Sequence, residues 1–264
     1  MTRYDRGILV TGGGTFLGDH IAAALLAEGA EVSLLVRSGA EDQLGPLAHH
    51  TRWSTADVWN PGSLRGKARF HSAVIHTVGS LHADPAQGLS YERLNFVSAR
   101  NVGNMCVSDG VGHMILLSAV SAPWTKRGYI QSKREAERYL GRLGLKYTIV
   151  RAPVLYTRGQ SRHILYRACT LLASIPPLSW LPFGRIAPMP IDIFARAVAR
   201  IAMSTDYRKL LCYPRDMRRL NTRDEIRQSP DAALSFLPRR TRFSGAPAVA
   251  SEDMPFAWIP DEEA

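Results

Sequence analysis

An apolar run that breaks directly into glycine constrains this chain more than any other feature. Gly7-Ile8-Leu9-Val10 reads as a short buried strand, and Gly12-Gly13-Gly14-Thr15-Phe16-Leu17-Gly18 follows it at once. Asp19 to Glu28 then carries alanines and leucines at helical spacing, closed by Gly29, and Glu31 to Val36 reads as a second strand. Strand, glycine turn, helix and strand within about thirty residues make one βαβ unit, whose two strands must lie parallel. Glycines are needed after the first strand where the backbone turns sharply and must come close to a pyrophosphate. The helix start then offers free N–H groups and a positive dipole end to that anion. A tight turn without a ligand is the plainer alternative.

The alternation continues along the chain. Ala73 to His76, His113 to Leu117 and Tyr147 to Val150 read as strands, with helices over Glu92 to Ser108 and Tyr129 to Leu143. This order predicts an α/β fold, a doubly wound parallel sheet of the Rossmann type, with a small C-terminal α-rich region and an irregular tail. The boundaries are a dinucleotide-binding core over 1–155, a substrate- or partner-facing region over 156–227 and an extended or disordered tail over 228–264. Ser161 to Ser174 and Ile191 to Met203 carry apolar residues at helical spacing. Between them Ile175 to Phe183 is apolar but interrupted by Pro176, Pro177 and Pro182.

Charge is unevenly spread over the net +10. Residues 151–243 hold 17 basic against 6 acidic side chains, whereas 244–264 hold 5 acidic and none basic. The basic middle suits phosphates, acidic lipid or an acidic protein. No aromatic RNA-binding signature or helix-turn-helix accompanies it, which argues against nucleic acid. Cys106, Cys169 and Cys212 are odd in number and widely spaced, as expected in a reducing compartment. His49, His50, His71, His82 and His163 show no metal-ligand spacing, and Trp53 and Trp59 are expected in the core. With six residues before the first strand and no apolar run of about 20, neither a secretory signal nor a membrane span is expected.

Arg37 closes the second strand, where an acidic residue would receive the ribose 2′-hydroxyl of NAD. Arginine there suits a 2′-phosphate, with Ser38 adding a hydrogen bond, so NADP(H) is favoured and NAD(H) is possible. The alternative is a solvated surface arginine.

Taken together, the motifs resemble the short-chain dehydrogenase/reductase superfamily, in its extended and atypical branches, over residues up to about 203. Thr11-Gly12-Gly13-Gly14-Thr15-Phe16-Leu17-Gly18 is similar to the family's TGGTGFLG turn. It departs at Gly14-Thr15, where Thr15 places a Cβ that the pattern lacks and so alters the pyrophosphate approach. Asp57 and Val58 resemble the adenine-side segment, and His76-Thr77-Val78-Gly79 the strand end passing the nicotinamide ribose. Tyr91 to Val102 contains the recurring asparagine, Asn95, while Leu116-Leu117-Ser118 resembles the strand ending in the catalytic serine. Tyr129-Ile-Gln-Ser-Lys133 matches YxxxK, and Val150-Arg151-Ala152-Pro153 and Pro190-Ile191-Asp192 match later segments.

The resemblance implies a catalytic site of Ser118, Tyr129 and Lys133, with Asn95 beside them. Residues four apart share a helix face, so Lys133 is expected to lower the Tyr129 pKa and to bind the nicotinamide ribose. Ser118 would orient a carbonyl or hydroxyl while Tyr129 passes the proton. Thr11, Gly12, Gly14, Thr15, Phe16, Leu17, Gly18, Arg37, Ser38, Asp57, Val58, Thr77, Gly79, Lys133 and Pro153 would hold the cofactor, and no metal is implied.

The stretch from Ser118 to Tyr129 is short, Ala136-Glu137 follows Lys133, and the apolar Leu178-to-Pro190 segment leads into Ile191. In these the chain is most similar to the NAD(P)H-binding accessory subunit of mitochondrial complex I and a related coenzyme Q-associated protein. That implies an accessory subunit holding NADP(H) structurally in a respiratory assembly, on the matrix face of the inner membrane. Residues 171–183 would then touch the membrane surface, or form a lid or core. The alternative is an active cytoplasmic NAD(P)-dependent oxidoreductase or epimerase acting on a small molecule, such as a quinone- or isoprenoid-type substrate.

Overall fold

A computed structural model describes residues 7–123, 125–158, 186, 188–207 and 209–227. The elements are β1 (Gly7–Gly13), α1 (Phe16–Ala27), β2 (Glu31–Val36), α2 (Leu47–His50), β3 (Arg52–Thr55), α3 (Pro61–Leu64) and β4 (Ala73–His76). A π-helical turn (Glu92–Val97) runs into α4 (Ser98–Asp109), followed by β5 (His113–Ala119), α5 (Arg127–Leu140) and β6 (Tyr147–Ala152). After these come β7 (Leu155–Tyr156), β8 (Met189–Pro190), α6 (Ile191–Met203), β9 (Leu211–Cys212), α7 (Pro214–Arg219) and α8 (Arg223–Arg227).

Seven strands form one sheet in the order β3-β2-β1-β4-β5-β6-β9, every neighbouring pair parallel. Strand order therefore reverses between β1 and β4, and a crevice opens there at the carboxyl ends of the strands. This is the expected Rossmann-like sheet with flanking helices.

Side-chain alternation divides the core into two layers. Ile8, Val10, Ile75, Ile115, Leu117 and Val150 face α1 and α6, packing on Leu17, Ile21, Leu25, Phe194 and Val198. Leu9, Val74, Met114 and Leu116 face the other way, onto Val102, Met105, Ala136 and Leu140 of α4 and α5. Central strands buried on both faces are why these stretches read as continuous apolar runs. Trp59 lies in the second layer, its indole N–H donating to the Arg93 carbonyl at 2.8 Å. Trp53 departs from expectation: it lies on the edge strand β3 and 43% of it is exposed.

Within 156–227, β9 extends the sheet and α6 packs against α1. The expected helix over Ser161 to Ser174, the apolar stretch 171–183 and the tail 228–264 lie outside the described residues. Among the described residues, no helix is long and apolar enough to cross a membrane.

Candidate active site

The glycine turn is built as its sequence requires. Gly12 and Gly14 have φ of 86° and 79°, left-handed values that favour glycine. A Cβ at Gly18 would run into the Gly12 carbonyl oxygen, so helix and turn meet at a distance only glycine permits. Thr15 sits at φ −107°, ψ 156°, ordinary extended backbone, and needs no glycine. As N-cap of α1 its hydroxyl donates to Gly12 O at 2.6 Å and accepts from Gly18 N at 3.2 Å. The side chain that departs from the family pattern thus braces the turn. Asp19 accepts from Gly14 N at 2.8 Å. No acceptor among the described residues takes the amide hydrogens of Phe16 and Leu17, which open α1 as donors for an anion. The cradle fits a pyrophosphate.

At the end of β2, Arg37 is half-buried and begins a turn, Ala40 N donating to Arg37 O at 3.0 Å, with Ser38 exposed. Asp57 and Val58 follow β3; the Asp57 carboxylate accepts from Trp59 N at 2.9 Å, and Val58 is fully buried. Pro153 is buried just after β6.

At the switch point Thr11 and His76 pair across β1 and β4, Thr11 Oγ1 lying 3.0 Å from His76 Nδ1. Thr11 Oγ1 also accepts from Thr77 N at 3.3 Å. The Thr77 hydroxyl donates to Thr11 O. Burial, reinforced by the Lys133 charge, pushes His76 down to about 3, leaving it neutral.

Beyond β4 the chain meets α5. A Cβ at Gly79 would lie 2.5 Å from Asn95 Oδ1 and 2.6 Å from Lys133 Nζ, so the loop touches both. Asn95 is spent on that loop: its Oδ1 accepts from Ser80 N at 3.0 Å and its Nδ2 donates to Ser80 O and Tyr91 O. It sits in the π-helical turn, a distortion frequent at functional sites. Lys133 is buried and donates to Leu117 O at 3.2 Å. Burial lowers its ammonium to about 7, with the Glu137 carboxylate working against that fall.

Tyr129, 1% exposed, stacks edge-on against Tyr91 with ring centroids 6.2 Å apart. The expected lowering of its pKa does not occur here. Burial pushes the phenol above its ordinary range, Arg134 opposing and Tyr91 adding to the rise.

Ser118 lies in β5, as expected, and is engaged within the fold. Its hydroxyl donates to Glu137 Oε1 at 2.6 Å and accepts from Arg134 Nη1 at 3.1 Å, so its hydrogen bonds do not go to Tyr129. Its side chain points to the α4–α5 face, where the register of β5 brings it against Glu137 rather than the start of α5. Sequence reasoning did not name Tyr91, Ser80, His76 or Glu137 as site residues, although His76 and Tyr91 stood inside segments read as family motifs and Glu137 stands four residues after Lys133 on the same helix face.

A family model described as NAD(P)H-binding matches residues 12–170. Ceramide reductase of Caulobacter vibrioides is 27% identical over 199 residues, covering 74% of this chain and 61% of that protein. 2-alkyl-3-oxoalkanoate reductase of Stenotrophomonas maltophilia is 28% identical over 123 residues, 43% of this chain and 33% of that protein. The chain thus spans less than two thirds of either relative. Among solved structures, a putative epimerase from Burkholderia cenocepacia superposes with a TM-score of 0.61 at 19% identity, over 80% of this chain and 76% of that one, a likeness of fold.

Proposed function

The chain belongs to the NAD(P)H-binding family, and we propose that it is an NAD(P)H-dependent reductase acting on the carbonyl of a substrate with a long alkyl chain. One observation carries the reductase reading: Tyr129 and Lys133 lie one turn apart on the buried face of α5, where Lys133 meets Gly79 beside the switch point and Tyr129 packs on Tyr91. Two relatives named as reductases support the chemistry, and their names support the substrate class.

Bound NAD(P)H would supply the hydride. The turn Gly12–Gly18 holds the pyrophosphate, and Asp57 and Val58 border the adenine. Arg37 with Ser38 receives a 2′-phosphate, giving a preference for NADP(H). Lys133, where Gly79 admits it, holds the nicotinamide ribose. The high pKa of Tyr129 keeps the phenol protonated at neutral pH, the form a reduction needs to protonate the carbonyl oxygen.

A second reading has one observation in its favour. With Ser118 engaged by Glu137, the expected triad is incomplete, which suits a subunit that holds NADP(H) without turnover in a respiratory assembly on the mitochondrial matrix face. The test is hydride transfer by the purified chain from NADPH to ketones of varied alkyl length, wild type against Tyr129→Phe. A loss of about 100-fold or more in the variant supports the reductase. NADPH bound tightly by a wild type that reduces no ketone overturns it in favour of the second reading.

A further inference from the structure

Tyr129, Lys133 and Glu137 follow at four-residue intervals, so a single face of α5 carries all three, and all are buried. The first two reach the site. Glu137 reaches the strands instead. Its Oε1 accepts from Ser118 at the end of β5 and from Arg151 Nε of β6 at 3.0 Å; its Oε2 accepts from Arg151 Nη2 at 2.6 Å. Arg134 joins the same carboxylate and donates to Ala119 O at 2.8 Å. Arg151 Nη1 continues to the Tyr213 hydroxyl at 2.6 Å, beside α7. A forked arginine–carboxylate pair is geometrically demanding, and it fixes the helix along the strand ends.

We propose that Glu137 is a positioning residue: it locks the Tyr129–Lys133 face of α5 against β5 and β6 and supplies the counter-charge for Lys133. This rests on the reading of that face as the catalytic one. The groups around Lys133 include His76 at the end of β4, Asn95 from the π-helical turn, the Leu117 carbonyl of β5, and Tyr129 and Glu137 on α5 itself. His76 is neutral and Tyr129 a protonated phenol, so Glu137 is the carboxylate that favours the ammonium. Glu137 stays ionised: burial would raise its pKa, but the hydrogen bonds from Arg151 and Ser118 outweigh that and hold it below the ordinary range.

The test is the titration of Lys133 followed by its Nζ resonance in the full chain, where five lysines keep assignment tractable and Lys133→Met identifies the signal. In Glu137→Gln the midpoint is expected to fall by about one pH unit, a tenfold loss of ammonium at a given alkaline pH. The alkaline limb of hydride transfer should move down with it. Glu137→Asp, which keeps the charge, is expected to restore the midpoint while melting lower. If the single glutamine variant does not fold, Glu137→Gln with Arg151→Gln removes the ion pair together; the lost charges are of opposite sign, so the midpoint is expected to fall by less than in the single variant, and no fall at all overturns the proposal. An unchanged Lys133 midpoint in a folded glutamine variant overturns the proposal. A wild type without hydride transfer would overturn the reductase reading alone, since the Lys133 titration is read without turnover.

Discussion

Gly79 and Lys133 are in contact so close that a Cβ on the glycine would lie 2.6 Å from the lysine Nζ. The same atom would lie 2.5 Å from Asn95 Oδ1, so neither neighbour can yield without losing the other. Gly79→Ala is therefore expected to displace Lys133 and raise the Kd for NAD(P)H by about tenfold or more, about 1.4 kcal/mol. Overpacking costs a further 1–3 kcal/mol of stability, roughly. Quenching or enhancement of NADPH fluorescence on titration measures the first effect, and urea denaturation the second. Unchanged affinity would place the ribose elsewhere.

At Gly18 the obstacle is backbone rather than side chain, because the added methyl meets the Gly12 carbonyl oxygen. Gly18→Ala is expected to separate α1 from the turn and abolish detectable NAD(P)H binding. Calorimetric titration checks it, and tight binding by the alanine variant would contradict the assignment of this turn to the pyrophosphate.

Ser118 provides the sharpest contrast between motif and geometry. Its hydrogen bond to the ionised Glu137 makes Ser118→Ala a stability variant, costing about 1.5–3 kcal/mol. Hydride transfer is expected to drop less than about tenfold, against the 100-fold or greater loss proposed for Tyr129→Phe. Steady-state kinetics with the substrate identified by the ketone panel compares them. A Ser118→Ala loss as large as that of Tyr129→Phe would return the serine to the catalytic role its motif implies.

Two neutral imidazoles make the fold acid-sensitive. Burial first, and then the Lys133 charge, push His76 to about 3; burial and then Lys146 push His113 to about 4, both from 6.5. Between those values and 6.5 the unfolded chain binds more protons than the folded one. Stability is therefore complete above about pH 6.5 and is lost as pH falls towards 4, with His113 alone contributing on the order of 3 kcal/mol. His113 is held by Thr148 at 2.9 Å. Thermal unfolding from pH 7 to 4 in wild type and His113→Asn should show a shallower decline in the variant; parallel curves would exclude His113 as a source.

The proposed preference for NADP(H) rests on Arg37, half-buried at the end of β2. Arg37→Asp is expected to weaken NADPH binding at least tenfold while sparing or improving NADH, since a carboxylate repels the 2′-phosphate and accepts from a 2′-hydroxyl. Parallel titrations with both nucleotides decide it; an unaltered ratio would mean that Arg37 does not read the phosphate.

What could be read in the sequence was what neighbouring residues decide among themselves. The turn after β1 needs glycine at Gly12 and Gly14 because those residues take positive φ, and Lys133 falls beneath Tyr129 because a helix repeats every 3.6 residues. The alternation of strands and helices likewise announced a parallel sheet. The two-residue strand β9 was too short to leave a period, and its place beside β6 comes from the docking of α6 and α7.

Partner choice across elements was not legible, for the same reason. Ser118 stands where a catalytic hydroxyl is expected, yet which residue it meets depends on how far α5 is slid along β5. The packed structure sets that slide so that Glu137 arrives, nineteen residues on in sequence. Asn95 finds Ser80 only after a π-helical turn re-aims its amide, and Tyr129 gains its high pKa only once its surroundings close over it. Local geometry therefore determined the nucleotide cradle and the Tyr129–Lys133 spacing. Burial and the register between α5 and the sheet, which no single segment encodes, decided which hydroxyls and charges face the crevice and which are spent holding it open.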